Sequence, residues 1–150
     1  MDITVRGTEQ LTSLAQRFRE AANSGLRDEL RNTLSTLGPG IIDSVRNSAR
    51  TTLPRRGGLA ALIADTSEFT APVVTTPTEV KLSVTARSNV DIRLLNDGTV
   101  RHPLFGNRQH WYNETVKPGW FTRPLAGIGP RVSEELNQTL ETVARKIEGK

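Results

Sequence analysis

The sequence predicts an α+β domain: a small antiparallel twisted sheet packed against N-terminal helices and a C-terminal amphipathic helix, with a long extended loop arm. Three observations predict it. An apolar stripe in steps of three and four runs from Leu26 to Ala49, a strict apolar–polar alternation runs from Glu79 to Ala86, and a second helical stripe closes the chain. With 150 residues, no internal repeat and no long linker, residues 1–150 read as a single domain.

Taken in order, Ile3 and Val5 alternate with polar neighbours, which predicts a short opening strand. Thr8 is placed to cap a helix with Leu11, Leu14, Ala15, Phe18 and Ala22 on its apolar face, broken by Asn23-Ser24-Gly25. A second helix opens with Asp28 and Glu29 in its first turn, where acids suit the positive end of the helix dipole. Its stripe is Leu26, Leu30, Leu34, Leu37, Ile41, Val45 and Ala49, and Gly38-Pro39-Gly40 in mid-stripe predicts a kink or a short break. Thr51 to Pro54 ends this element, and Gly57 to Ala64 offers one or two further helical turns.

Pro72, Pro77 and a run of threonines make Asp65 to Thr78 a loop with an edge strand at Val73-Val74. The clearest strand follows, with Val80, Leu82, Val84 and Ala86 on one face and Glu79, Lys81, Ser83 and Thr85 on the other. Ser88-Asn89 turns the chain into an expected second strand with Val90, Ile92 and Leu94 inward, ended by Asn96-Asp97-Gly98. The last helix is expected from near Pro124 or Pro130, with Val132, Leu136, Leu140, Val143 and Ile147 along the side that packs on the sheet.

Between these elements, residues 99–123 show no period, yet they hold both Trp, the single Tyr, two of the four Phe and both His. A stretch of that length without regular structure is usually functional or disordered, and disordered segments are poor in aromatics. The segment from 98 to 123 therefore reads as an ordered, extended, aromatic-rich arm.

Composition narrows the chemistry. At 35% apolar content the core is lean against a usual value of about 45–50% on a scale that also counts Gly, so neighbouring subunits are expected to complete it. The absence of Cys excludes disulfides, thiolate nucleophiles and iron–sulfur ligation. The opening Met1–Val5 lacks a basic segment followed by an apolar one, so no secretory signal is expected, and no apolar run is long enough to span a membrane. His102 and His110, eight apart with only Asp97 and Glu114 nearby, fall short of metal-site clustering. Ser44, Ser48 and Ser88 lack a nucleophile-elbow context, and Glu134 and Glu135 read as a solvated helix face. Neither Gly57-Gly58 nor Gly38-Pro39-Gly40 matches a phosphate loop. No enzyme activity, metal or cofactor is expected.

Charge is segregated. Ser44 to Ala64 holds Arg46, Arg50, Arg55 and Arg56 with no acid, and Thr99 to Arg131 holds five basic residues against Glu114 alone. Each block is +4 in a chain of net +4, so the remainder sums to −4. Basic residues interleaved with aromatics suit nucleic-acid stacking and protein–protein contacts alike. The length of the arm and the modest net charge favour the protein contact.

Several motifs then fall into a recognisable order. Leu53-Pro54-Arg55-Arg56-Gly57-Gly58-Leu59 closes a helical half. A hairpin follows, then Asn96-Asp97-Gly98-Thr99, Arg101-His102-Pro103-Leu104-Phe105-Gly106-Asn107-Arg108, Pro118-Gly119-Trp120-Phe121 and Arg123-Pro124 before the terminal helix. From about Gly25 onward the chain resembles the minor tail-component or tail-completion (neck, head–tail joining) family of long-tailed bacteriophages, in the form found in phages of actinobacteria. One departure is visible: many members carry an acid and an aromatic just before the Gly-Thr, where this chain has Leu95, Asn96 and Asp97.

The resemblance implies a structural virion protein, assembled in the host cytoplasm, that forms a homo-oligomeric ring of six or twelve copies at the head–tail junction. Such a ring would contact neighbouring connector or stopper proteins and tail-tube proteins, and would touch genomic DNA non-specifically in its lumen. No cofactor is implied, and no membrane. A tail terminator capping the tube and a small DNA-binding accessory protein are the alternatives. On this reading Phe105, Arg108, Trp111, Tyr112, Trp120, Phe121 and Arg123 are expected at the subunit interface, and Arg46, Arg50, Arg55 and Arg56 are expected to face DNA. A closed ring needs a heterologous contact, in which one patch meets a different patch on the next copy.

Overall fold

In a computed structural model, which describes residues 2–6, 23–76, 80–104 and 107–148, the leucine stripe becomes one side of a single 30-residue helix, α1 (Asn23–Thr52). At 1.5 Å per residue it is about 45 Å long. Leu26, Leu30, Leu34, Ile41, Val45 and Ala49 are all buried, and Leu37 is partly so. Two expectations change here. The segment Asn23-Ser24-Gly25 opens the helix instead of breaking one, which moves Asp28 and Glu29 beyond the first turn. Pro39 lies inside the helix without interrupting it. Proline removes one N–H and so one hydrogen bond, a cost that the buried stripe on both sides outweighs. At Gly38 α1 passes beside a neighbouring loop, where a Cβ would meet the Cβ of Ala71 in ordinary contact at 3.4 Å. The expected helix around Thr8, Leu11, Leu14, Ala15, Phe18 and Ala22 lies outside the described residues.

The short helix α2 (Leu59–Thr66) follows a turn in which Gly57 and Gly58 both adopt positive φ. Four strands then make one antiparallel sheet around β4 (Val80–Arg87). The opening strand β1 (Asp2–Arg6) runs along one side of β4 with Ile3 opposite Val84. The other side is shared end to end by β2 (Glu68–Thr70), opposite residues 85–87, and β3 (Val73–Thr75), opposite residues 80–82. Ala71-Pro72 breaks this second edge, yet the ladder is not lost there, because Ser83 N–H donates to the Pro72 carbonyl at 3.0 Å. The alternation in β4 is realised: Leu82, Val84 and Ala86 are buried while Lys81, Ser83 and Thr85 are only partly covered.

The expected strand carrying Val90, Ile92 and Leu94 is instead a short helix, α3 (Ile92–Asn96). Its alternation was a poor guide because Asp91 offers a better local solution. The Asp91 carboxylate accepts from Leu94 N–H at 2.9 Å, an N-cap that fixes the first turn. Ile92 and Leu95, three apart, then supply the buried face.

The final helix α4 (Thr122–Glu148) starts two residues before Pro124 and carries Pro130 inside it. Val132, Leu136, Leu140 and Val143 are buried as their spacing predicts. Their chief partner differs from expectation, because α4 packs mainly along α1 and makes a smaller contact with the sheet at β1. Two contacts set the orientation. Thr33 and Thr139 hydroxyls meet at 2.7 Å, and Ser48 Oγ donates to the Trp120 carbonyl at 2.6 Å. The start of α4 therefore lies beside the end of α1, so the two helices are antiparallel, and α1 also packs on β3 and β4.

Candidate functional site

The aromatic segment divides into two parts with opposite fates. Residues read from sequence as lacking regular structure form a two-stranded antiparallel ribbon of β5 (Thr99–Leu104) and β6 (Asn107–Thr115). Thr99 pairs with Thr115, Arg101 with Asn113 and Pro103 with Trp111, and the register shifts between Pro103 and Leu104. The remaining residues, 116–121, turn back into the body of the domain.

The root of the ribbon is tightly specified. Val100 and Val116 are buried where the strands leave the body, and Val116 N–H donates to the Gly98 carbonyl at 2.8 Å. Gly98 has φ +101°, and a Cβ there would press on the Val116 carbonyl at 3.1 Å and on Pro118 at 3.3 Å. This corner needs glycine on both counts. Beside it, Asn96 is buried, with its side-chain oxygen accepting from the N–H groups of Phe121 at 3.0 Å and Thr122 at 3.2 Å. Its backbone carbonyl takes the Gly119 N–H at 2.8 Å. One side chain thus satisfies donors at the start of α4, groups that a helix leaves without an internal partner. The sequence reading missed this role. The available signal was a polar Asn next to Leu94-Leu95 and directly before Asp-Gly, where a side-chain cap for a distant segment fits.

Trp120 and Phe121 are the largest side chains of the core, both 0% exposed. Their rings meet edge to face at 5.5 Å, and Trp120 meets Phe69 of β2 at 6.4 Å. Each is closed off within one copy of the chain. Their expected place at a subunit interface is therefore corrected, because a side chain with no accessible surface has none to offer a partner. Arg123 is exposed near the same corner. Phe105 lies outside the described residues, and Arg108 is placed only as a backbone position in β6.

Beyond the root, the described side chains of β6 are open to solvent. Every residue from Gln109 to Thr115 is exposed, and Trp111 and Tyr112 each keep 51% of their surface accessible. The Arg101 guanidinium lies over the Trp111 ring at 5.2 Å, a cation–π contact that holds the indole on the surface. Trp111 and Tyr112 are consecutive in a strand, so they occupy opposite faces of the ribbon.

The four arginines of the first basic block also divide. Arg46 donates to the Ala64 carbonyl at 3.2 Å, and its guanidinium sits 5.1 Å from the centre of the Phe69 ring, which ties α1 to α2 and β2. Arg50 pairs with Asp65 at 2.7 Å. These two serve the fold, while Arg55 and Arg56 are exposed on the turn before α2. Elsewhere, an open groove of about 650 Å³ runs between the end of β4 and α3, with Arg87, Asp91 and Arg93 at its rim. Among the described residues no three His, Asp or Glu side chains gather as metal ligands, and no helix is long and apolar enough to cross a membrane.

Compared with protein-family models, curated proteins and solved structures, the chain matches none.

Proposed function

We propose that this protein is a structural virion subunit that assembles into a ring at the head–tail junction of a long-tailed phage, joining the tail tube to the head connector. DNA passes through the lumen. The resemblance of the Asn96–Thr99, Arg101–Arg108 and Pro118–Phe121 motifs supplies the phage setting. The observation that carries the assembly reading is the ribbon, whose two half-exposed aromatics stand beyond a base fixed by buried Val100 and Val116. A lone two-stranded ribbon is marginal in water, and Trp, Tyr and Arg are the residues richest in interface binding energy. Covering the exposed half of each ring removes on the order of 100 Å² of surface from water, worth roughly 2 kcal/mol per side chain.

Arg55 and Arg56 are the residues of the first basic block that carry the proposed contact with DNA, since Arg46 and Arg50 are engaged within the fold. That contact is electrostatic and independent of sequence.

Light scattering of the purified protein across concentration, with negative-stain images of any large species, tests the reading. Closed rings are expected. A monomer at all concentrations that binds DNA with steep salt dependence would overturn it in favour of a small DNA-binding accessory protein.

A further inference from the structure

An antiparallel pair bonds alternate residues to each other and turns the backbone groups of the residues between them outward. In the ribbon, the bond from Val116 N–H to the Gly98 carbonyl fixes that alternation. Val100–Glu114 and His102–Tyr112 are therefore the bonded pairs, while the N–H and C=O groups of Trp111, Asn113 and Thr115 face the outer edge of β6. Among the described residues no strand lies beyond that edge, and no hydrogen bond engages these backbone groups. The other edge of the ribbon is blunted: Pro103, opposite Trp111, has no N–H to offer, and the register shifts after it. β6 carries neither device.

The main sheet has an open edge of the same kind. Ser83 N–H bonds to the Pro72 carbonyl, so Val74 is the next residue bonded to β4, and Val73 and Thr75 turn their backbone groups outward. Each edge carries a large apolar side chain that is half exposed, Trp111 at 51% on β6 and Val74 at 50% on β3. Their charges are opposite. Residues 57–80 hold Asp65, Glu68 and Glu79 with no Lys or Arg, whereas residues 99–117 hold Arg101, Arg108 and Lys117 against Glu114. We propose that β6 of one copy adds as a strand to the β3 edge of the next, so that the ribbon of each copy extends the sheet of its neighbour. The occupant of each edge is a second copy of this chain. Charge selects this pairing over ribbon on ribbon, which sets two basic strands side by side, and over β1, where Asp2 and Arg6 cancel. The contact is heterologous, which is what a closed ring requires. This inference rests on the ring reading above and names the surface that builds the ring.

Proline at an outward position tests it, because it removes the edge N–H and leaves the ladder within the chain intact, as Pro103 does in β5. Asn113→Pro disables the ribbon edge and Thr75→Pro the sheet edge. At a dilution where all are monomeric, both variants are expected to melt like wild type. Each is expected to raise the protein concentration for half-assembly, read by light scattering, by roughly tenfold or more. At concentrations where wild type forms rings, an equimolar mixture should give one-to-one dimers, since the intact β6 of Thr75→Pro meets the intact β3 of Asn113→Pro. Asn113→Asp keeps the backbone and the side-chain size, and decides the matter should a proline lower the monomer's melt. An added acid facing an acidic strand is expected to weaken assembly by about threefold or more at low salt, and unchanged or tighter assembly would overturn the choice of β3. Rings from either proline variant at wild-type concentrations, or a mixture without dimers, would overturn the edge pairing and leave the ring reading in place. Open filaments from wild type with dimers from the mixture would overturn the ring reading and leave the edge pairing. A wild-type protein that stays monomeric at every concentration would overturn both.

Discussion

Trp111 and Trp120 are nine residues apart in one aromatic-rich segment, yet one is half exposed on a ribbon and the other is fully enclosed. The difference lies in the backbone between them. After Val116 the chain meets Pro118 and Gly119, the latter at φ +85°, and this turn delivers Trp120 and Phe121 into the junction of α1, β2 and α4. Aromatics that cluster along a sequence therefore need not share a surface. The root belongs to the core of the domain, and the ribbon leaves its aromatics half exposed.

The sharpest test of that division is Trp120→Ala. Emptying a fully buried indole site costs about 3–5 kcal/mol, which in a lean core approaches the whole stability of the domain. Chemical denaturation should show the midpoint fall steeply. A loss below about 1 kcal/mol would remove Trp120 from the core described here.

Asn96→Ala is expected next in size. It leaves the N–H groups of Phe121 and Thr122 without their acceptor, a loss of about 1–3 kcal/mol. Hydrogen exchange should quicken first at the start of α4. Uniform exchange across the domain, with no change in stability, would mean the Asn96 cap is dispensable.

Disrupting the Arg50–Asp65 pair belongs at the lower end. Both side chains are more than half exposed, and such pairs contribute about 0.2–1 kcal/mol. Asp65→Asn should move the melting temperature little, and less still at high salt. A large drop would show that this pair clamps α1 to α2 more firmly than its exposure implies.

Legibility in the sequence follows the same division between root and ribbon. The stripe of α1 and the alternation of β4 are plain because one face of each is buried, and burial is what writes a period into a sequence. The ribbon left no such mark. With residues from Gln109 to Thr115 exposed on both faces, the segment carries no apolar–polar alternation, so a pair of strands reads only as an ordered, extended arm without a period. The strand expected over Val90, Ile92 and Leu94 failed for a different reason: three alternating apolar residues are weaker information than one Asp at a helix N-cap. Of the residues expected at an interface, Trp111 and Tyr112 are half exposed while Trp120 and Phe121 are enclosed, and nothing local distinguishes an aromatic bound for the core from one bound for solvent. Only the long-range contacts with Ser48 and Phe69 do so.

The ribbon's role is tested most directly by the Trp111→Ala/Tyr112→Ala double variant, measured by light scattering beside its thermal melt. Both side chains are half exposed and sit outside the core, so at a dilution where both proteins are monomeric the melt should match wild type within about 0.5 kcal/mol, while at higher concentration the variant keeps the mass of a monomer where wild type has that of a ring. Rings that persist in this variant, or a melt that collapses with them, would contradict an arm built for assembly on a body that folds without it.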